Sequence, residues 1–352
     1  MKNQCLPLDY LKKIKNDYPG AFEMMQDFHD NRGKNGIPDW PEWCYAPIAA
    51  SISIATMGDN NLNPWKLMSA MPAAQAIAAL APWRISKEIF VLDDGIEELL
   101  EEQDDDQIPS EILLQLPYPA FYVQTNHLSL GENVFDGFFV HLEYDVNNGE
   151  KELRALLLSK DLTATPIMIH IDQHDIRDNF EKIYQIAEDN VVSDPELRRE
   201  LIRTKNDPAS IKGLMDVHRQ VLQIVLYLCS QNAEVAPNSE QAFIKRPAST
   251  TRIKDRYAEI RKWNVGTRIG STYRKHTTSR TAASNQTGSG EQRRSPRPHM
   301  RRGHFQHFLV GKRDVPAEER KYILKWVAPT FVGQMDPDDT PAVIHTVKKD
   351  DQ

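Results

Sequence analysis

Three histidines and two arginines lie within nine residues of one another in this 352-residue chain, in the sequence HMRRGHFQH at residues 299–307. They are His299, His304 and His307, with Arg301 and Arg302. Two imidazoles beside two guanidinium groups could act as general base, general acid and oxyanion stabiliser in RNA cleavage. The arginines could instead bind phosphates or carboxylates through their planar donor groups, with Gly303 allowing close backbone approach.

Binding is favoured over catalysis or metal coordination at this motif. The spacing supplies three histidines without a nearby carboxylate, and arginines oppose a bound cation, so no metal is predicted. Histidines that merely pack or hydrogen-bond at the start of a strand, and histidines that contact nucleic acid, both remain open. We assign no catalytic residue and keep His299, His304 and His307 as the candidates, which leaves enzymatic activity uncertain and a binding protein favoured.

The motif belongs to a strongly basic segment. Residues 245–325 contain 21 Lys and Arg against 6 Asp and Glu, a local charge of +15 in a chain whose net charge is −7. Like charges held together are costly unless a partner or solvent screens them, so the segment is expected to contact phosphate or an acidic surface. The predicted nucleic-acid-binding residues are Arg268, Arg274, Arg297, Arg301 and Arg302.

Cysteine usage and hydropathy indicate a reducing, cytoplasmic setting. Cys5, Cys44 and Cys229 are far apart and form no CxxC pair, so neither a disulfide framework nor a thiolate metal site is expected. No stretch approaches the roughly 20 apolar residues that span a bilayer, and the first residues lack the apolar run of a signal peptide. No membrane contact and no cofactor are predicted, and the oligomeric state is not indicated.

The elements that must position the motif begin with helices. Apolar spacing predicts an opening helix over residues 8–29, or two helices divided at Pro19-Gly20, and two short buried helices within residues 46–81 around a loop at 58–64. Trp40, Trp43 and Trp65 are expected in the core. The acidic stretch at 93–111 predicts a short helix with its carboxylates outside, and a metal or basic partner on that surface is the alternative.

Beyond residue 117 the period changes to that of strands. The segments AFYVQT, GFFVHLEYDVN, LRALLLS and PIMIHI predict an antiparallel meander, with Asn148-Gly149 as a hairpin corner. Alternation in GFFVHLEYDV predicts a strand covered on one side only. In HIDQHD, at residues 170–175, His170, Asp172 and His174 share one face and could ligate a metal, although capping of the next helix is the commoner use of such residues.

The second half combines helices with a returning hairpin. Helices are predicted at 176–190 and 211–232, a flexible loop at 276–296, and a β-hairpin from HFQHFLVGK and KYILKWVAPTFV. Strands followed by helices favour an α+β fold. The predicted domains are a helical region at 1–82, an α+β core at 83–235, the basic region at 236–333 and an acidic tail at 334–352.

Five segments together resemble the second-numbered anti-CRISPR family of type V-A systems, which blocks biogenesis of the effector nuclease. They are WRISKEIFVLDDGIEELL, IPSEILLQLPYPAFYVQT, VGTRIGSTYRK, and RPHMRRGHFQHFLVGK with KWVAPTFV. They occur in the family's order within residues 83–125 and 263–333, about a third of the chain, and RPHxRRGH is the most specific block.

The resemblance implies an unusual function and set of partners. Such a protein, carried by a mobile element in a bacterial host, would recognise the nascent N-terminal peptide of the effector nuclease and cause loss of its mRNA, with mRNA or the ribosome as a further partner. The split charge suits this role, because an acidic body could hold a peptide while the basic region contacts RNA. A protein that binds or cleaves RNA directly through the HxRRGHxxH motif is the alternative.

Overall fold

The computed structural model describes residues 5–57, 63–103, 107–171, 208–238, 259–284, 299–312, 316 and 320–332. Three predicted segments lie outside these ranges: the helix at 176–190, residues 285–296 of the loop, and the tail at 334–352. The fold is α+β, as predicted. No helix of the described ranges is long and apolar enough to cross a membrane.

The chain opens with four helices. The predicted division at Pro19-Gly20 is confirmed, since one helix ends before it and the next begins after it. The four are α1 (Leu6–Asp17), α2 (Ala21–Asp30), α3 (Ile48–Ala55) and α4 (Pro64–Ser86). Trp40 is buried as expected, but the prediction for Trp65 is wrong: it lies in the first turn of α4 and is 52 % exposed.

A seven-stranded mixed sheet forms the centre of the molecule. Its strands are β1 (Glu88–Leu92), β2 (Ala120–Gln124), β5 (Gly137–Tyr144), β6 (Lys151–Leu158), β7 (Ala164–Ile171), β8 (Val235–Pro237) and β9 (Arg261–Val265). They are arranged in the order β7-β6-β5-β2-β1-β9-β8. Two short strands, β3 (Ser129–Leu130) and β4 (Asn133–Val134), pair with each other.

The predicted meander is confirmed, because β2, β5, β6 and β7 pair antiparallel in sequence order. Gly149 stands at the hairpin corner with φ +78°, a conformation that glycine adopts without steric cost, and its N–H donates to the carbonyl of Asp145. The centre of the sheet is different, since β1 lies parallel to both β2 and β9.

Strand β5 is buried on both sides, so the prediction of one covered face is wrong. Phe138 packs in one core and Phe139 in the other. The polar face beside Phe139 lies under the N-terminal helices: His141 contacts Glu143 at 3.2 Å, and Glu143 Oε2 accepts from the N–H of Ile48 at 2.8 Å. An internal polar network therefore produced the alternation that the sequence suggests for a solvated face.

The opposite face of the sheet carries α5 (Asp94–Glu101), the 3-10 helix η1 (Ser110–Gln115), α6 (Pro208–Cys229) and α7 (Thr267–Ser284). Because β1 and β9 are parallel and each is followed by a helix, α5 and α7 begin side by side. Their closest approach is between Gly95 and Gly270: a Cβ built on Gly95 would lie 2.6 Å from the carbonyl oxygen of Gly270.

Helix α7 extends into the segment predicted as a flexible loop, so that prediction is wrong at residues 276–284. The helix starts against α5, where Ile269 and Tyr273 pack in the core, and this contact compensates for the low apolar content farther along.

The predicted C-terminal hairpin is confirmed. Strands β11 (His304–Val310) and β12 (Lys321–Val327) pair antiparallel, and we call them the C-terminal ribbon. Just outside it, β10 (His299–Arg301) pairs with β13 (Thr330–Val332). The ribbon docks on the end of α6, where the backbone N–H of Trp326 donates to Asn232 Oδ1 at 2.9 Å and Asn232 Nδ2 donates to the Trp326 carbonyl at 2.7 Å.

Candidate functional site

The two arginines of the RRGH block are exposed: Arg301 is the last residue of β10, and Arg302 lies between β10 and β11. Neither Arg301 nor Arg302 forms an ion pair with another described residue. Gly303 does permit a close approach, but toward the ribbon: a Cβ there would lie 3.0 Å from Trp326 Cζ2. The block thus presents two guanidinium groups to solvent from a backbone held against a buried tryptophan.

His304 and His307 do not converge. His304 and His307 are three residues apart on one strand, so they project from opposite faces of the ribbon. His304 Nε2 lies 3.1 Å from Gln306 Nε2, while the His307 ring contacts Tyr322 edge-on at 5.9 Å. His299 lies on β10. Because they lie on opposite faces, His304 and His307 cannot reach the same substrate atom. This geometry favours binding over acid–base catalysis at the ribbon.

The other predicted arginines are occupied within the chain. Arg268 Nε donates to Glu234 Oε1 at 3.2 Å, and the backbone N–H of Arg268 donates to the same oxygen at 3.0 Å. Arg274 binds Asp93 through two nitrogens, one of them at 3.0 Å. These pairs fasten α7 to the body and neutralise both arginines. Arg297 lies outside the described residues, which leaves Arg301 and Arg302 as the predicted arginines that are exposed and have no ion-pair partner among the described residues.

A cleft of about 300 Å³ lies between the start of α1 and the face of the sheet that the N-terminal helices cover. Its apolar wall is formed by Leu6, Pro7, Ile89 and the ring of Tyr122. Ile89 stands between Tyr122 and Lys262 in the register of three adjacent strands, so the floor spans β2, β1 and β9. This volume is at the lower end of that typical of small-molecule sites.

Two residues that line the cleft carry buried hydroxyl groups that have no hydrogen-bond partner among the described residues. They belong to Tyr122, 1 % exposed, and Thr125, 3 % exposed. Burial raises the pKa of Tyr122, so its hydroxyl is neutral and can both donate and accept. A buried polar group without a partner is costly, and a ligand that hydrogen-bonds to it recovers that cost.

The rim of the cleft is polar and carries a small positive excess. Gln124 and Asn126 contribute amides, Asp136 pairs with Lys160 at 3.3 Å, and Lys262 adds a second cation. At the other side, burial raises the pKa of the Cys5 thiol, which makes it a weak nucleophile. Binding, rather than covalent chemistry, is what this set of groups can provide.

A buried carboxylate fixes one side of this rim. Glu97 Oε1 and Oε2 accept from the backbone N–H groups of His127 and Asn126, both at 3.0 Å. Burial raises the pKa of Glu97, although the two N–H groups oppose that shift. The prediction that the carboxylates of α5 lie outside is wrong for Glu97, because Glu97 accepts hydrogen bonds from backbone N–H groups just after the end of β2.

One group of potential metal ligands is present among the described residues: Glu150, Glu152 and His170. Arg154 Nη2 lies 2.7 Å from Glu152 Oε2, so a guanidinium already binds the carboxylate that a cation would use. Of the predicted HIDQHD ligands only His170 is described; Asp172 and His174 lie outside the described ranges. A metal site has little support here.

Sequence reasoning missed the cleft, and the reason is physical. Its residues come from the start of α1 and from three strands, which no short motif connects. The one local signal was a tyrosine followed by Gln124 and Thr125 at the end of an otherwise apolar strand, because buried polar groups need partners.

Comparison with known proteins places these features in context. A family model described as AcrVA2-like, the anti-CRISPR type V subtype A2 family, matches residues 90–334. Protein FinQ of Escherichia coli is 25 % identical over 284 residues, covering 76 % of this chain and 79 % of FinQ. The crystal structure of AcrVA2 matches with a TM-score of 0.60 at 15 % identity, covering 94 % of this chain and 100 % of that one, a likeness of fold.

Proposed function

The chain belongs to the anti-CRISPR type V subtype A2 family, and we propose that it blocks biogenesis of a type V-A effector nuclease by recognising the nascent N-terminal peptide of that nuclease. Recognition would take place on translating ribosomes in the bacterial cytoplasm and lead to loss of the encoding mRNA. The protein would be carried by a mobile genetic element. No catalytic step of its own is required.

The observation that carries the proposal is the cleft, two of whose lining residues carry buried hydroxyls without a partner among the described residues. A peptide presents N–H and C=O groups that must be paired when water is removed, and a hydroxyl can serve either one. The walls around Leu6 and Ile89 suit an apolar side chain, while the exposed amide of Gln124 can bind further backbone. Apolar walls with amides and one excess lysine at the rim suit a peptide, which offers both apolar side chains and backbone polar groups.

The hydroxyl of Tyr122 provides a test with two opposite effects. We expect Tyr122→Phe to weaken binding of a fluorescent peptide, copied from the N-terminus of the effector nuclease, about fivefold, because one hydrogen bond contributes about 1 kcal/mol. The same substitution should stabilise the free protein, since it removes a buried group that has no described partner. Fluorescence anisotropy and urea denaturation of the full chain measure the two effects.

The matched control is Tyr144→Phe, which changes a half-buried tyrosine outside the cleft that packs on Trp43. It should leave peptide affinity unchanged. Peptide that binds the wild type and Tyr122→Phe equally would move the site elsewhere on the protein. A wild-type protein that binds no N-terminal peptide, alone or on stalled ribosomes, would contradict peptide recognition itself.

Direct action on RNA through the HxRRGHxxH motif is the second candidate, favoured by Arg301 and Arg302, which are exposed and form no ion pair within the described part of the chain. Purified protein incubated with the effector mRNA, without ribosomes, tests it. Cleavage that is lost on His304→Ala would support a nuclease. We expect the mRNA to remain intact, because His304 and His307 point to opposite faces of the ribbon.

A further inference from the structure

The outer face of the C-terminal ribbon combines exposed apolar residues with lysines. Cross-strand register puts four pairs on this face: His304 with Val327, Gln306 with Lys325, Phe308 with Ile323, and Val310 with Lys321. The opposite face holds Phe305, Leu324 and Trp326 in the core. Phe305, Leu324 and Trp326 therefore anchor the ribbon on that side, and the outer face lies toward solvent.

Three consecutive apolar residues are exposed at the far end of β11. Phe308, Leu309 and Val310 are 45 %, 36 % and 37 % exposed. A run of exposed apolar residues is unfavourable in a folded protein unless it serves an interaction. The Phe308 ring is the largest of the three and lies in the middle of the outer face.

Positive charge surrounds this ring. Lys325 Nζ lies 5.7 Å from the Phe308 ring centroid, and Lys321 occupies the pair on the other side. Strands β11 and β12 contain no Asp or Glu, and the turn that joins them carries equal numbers of acidic and basic residues. Arg301 and Arg302 extend the positive charge beyond His304, so the surface is complementary to a polyanion.

The spacing of these groups fits a nucleotide chain. Alternate residues of a strand are about 7 Å apart, so each lysine lies one such step along β12 from the position opposite Phe308. Aromatic side chains on strands bind single-stranded nucleic acid by stacking on bases while neighbouring cations contact the phosphates. An acidic peptide would satisfy the lysines but would leave the exposed ring without a matching group.

We infer that the outer face of the C-terminal ribbon binds single-stranded RNA, with Phe308 stacking on a base and Lys321 and Lys325 contacting the flanking phosphates. This site deepens the second candidate function and is independent of the peptide cleft. It requires no cleavage by the protein.

Affinity and its salt dependence separate the two kinds of contact. Full-length protein is titrated with a fluorescein-labelled oligouridylate over a range of salt concentrations. We expect Phe308→Ala to weaken binding about 5- to 100-fold, the usual loss for one stacked base, without changing the salt slope. Lys325→Gln should lower the slope of log K against log salt by about 0.7, the value for one phosphate contact on a single strand.

Matched controls are available elsewhere on the surface. Trp65→Ala removes an aromatic side chain that is 52 % exposed on α4, and Lys34→Gln removes an exposed lysine near the N-terminal helices. Neither should change RNA affinity or its slope. Because Phe308 is exposed, its replacement should leave the thermal midpoint unchanged, and Phe308→Tyr should retain binding.

Three results would overturn the assignment. Wild-type protein that binds no oligouridylate at low salt is the first. Phe308→Ala that binds like the wild type, while Arg301→Gln and Arg302→Gln weaken binding, would place RNA on the motif and not on the ribbon face. Polyglutamate bound with the same sensitivity to Phe308→Ala would identify an acidic protein partner instead. Peptide binding in the cleft would be unaffected by any of these outcomes.

Discussion

Replacing Trp326 with alanine should lower the free energy of unfolding by about 3–5 kcal/mol, because a large buried aromatic leaves a cavity that its surroundings fill only in part. Trp326 is 2 % exposed and meets the ring of Tyr227 edge-on at 5.1 Å. Urea denaturation followed by far-UV circular dichroism measures the loss. Impaired activity of this variant would report unfolding, not a binding site.

Two variants sharpen the test. Trp326→Phe keeps an aromatic contact with Tyr227 and removes an indole N–H that has no described partner, so it should cost much less than alanine. Trp65→Ala, at a position that is 52 % exposed, should change stability by less than about 0.5 kcal/mol. Equal losses for Trp326→Ala and Trp65→Ala would mean that the ribbon contributes little to the core.

The second large effect is expected at the crossing of α5 and α7. A Cβ on Gly95 would lie 2.6 Å from the carbonyl oxygen and 2.7 Å from the Cα of Gly270, and backbone atoms cannot rotate away. Gly95→Ala should therefore push the helices apart, disturb the Arg274–Asp93 pair and cost about 3 kcal/mol, the upper end of the range for overpacking.

Gly213→Ala is the matched control for that substitution. Gly213 lies within α6, and a Cβ there would meet only Leu130 Cδ1 at an ordinary 3.5 Å. Alanine is the better helix former by about 1 kcal/mol, so this variant should be more stable than the wild type. Thermal denaturation of the two variants side by side should shift the midpoint in opposite directions, and a shift in the same direction would contradict the close helix crossing.

Local signals in the sequence predicted the local structure. Pro19-Gly20 divided the first helices, Asn148-Gly149 formed its hairpin corner, and the apolar face of Ile96, Leu99 and Leu100 is buried in α5. Each of these depends on a few neighbouring residues and on turn or helix chemistry that does not need the rest of the chain. The division into domains at residues 82, 235 and 333 stays a prediction.

Features that depend on distant contacts were not predictable in this way. The polar face of β5 looks solvated in the sequence, and only the tertiary fold shows that Ile48 covers and satisfies Glu143. The parallel pairing of β1 with β9 joins segments about half the chain apart, and periodicity does not name a strand's partner.

The candidate sites also combine features that local sequence indicates with features that depend on distant contacts. Binding of nucleic acid by Arg301 and Arg302 stays a prediction, and the sequence could not reveal that Glu234 and Asp93 pair with Arg268 and Arg274. Composition indicated a polyanion-binding region, whereas Phe308 emerged only from the register of the ribbon. Whether any of these residues contacts RNA stays a prediction until the titrations are made.

The β1–β9 pairing also imposes an order on assembly. Strands β1, β2, β5, β6 and β7 are all synthesised before residue 172, yet β1 keeps an open edge until Val265 has been added. Contacts of such large sequence separation slow folding, and an unpaired inner strand is a template for aggregation until its partner arrives. The protein therefore cannot complete its own central sheet cotranslationally until three quarters of its length has left the exit tunnel.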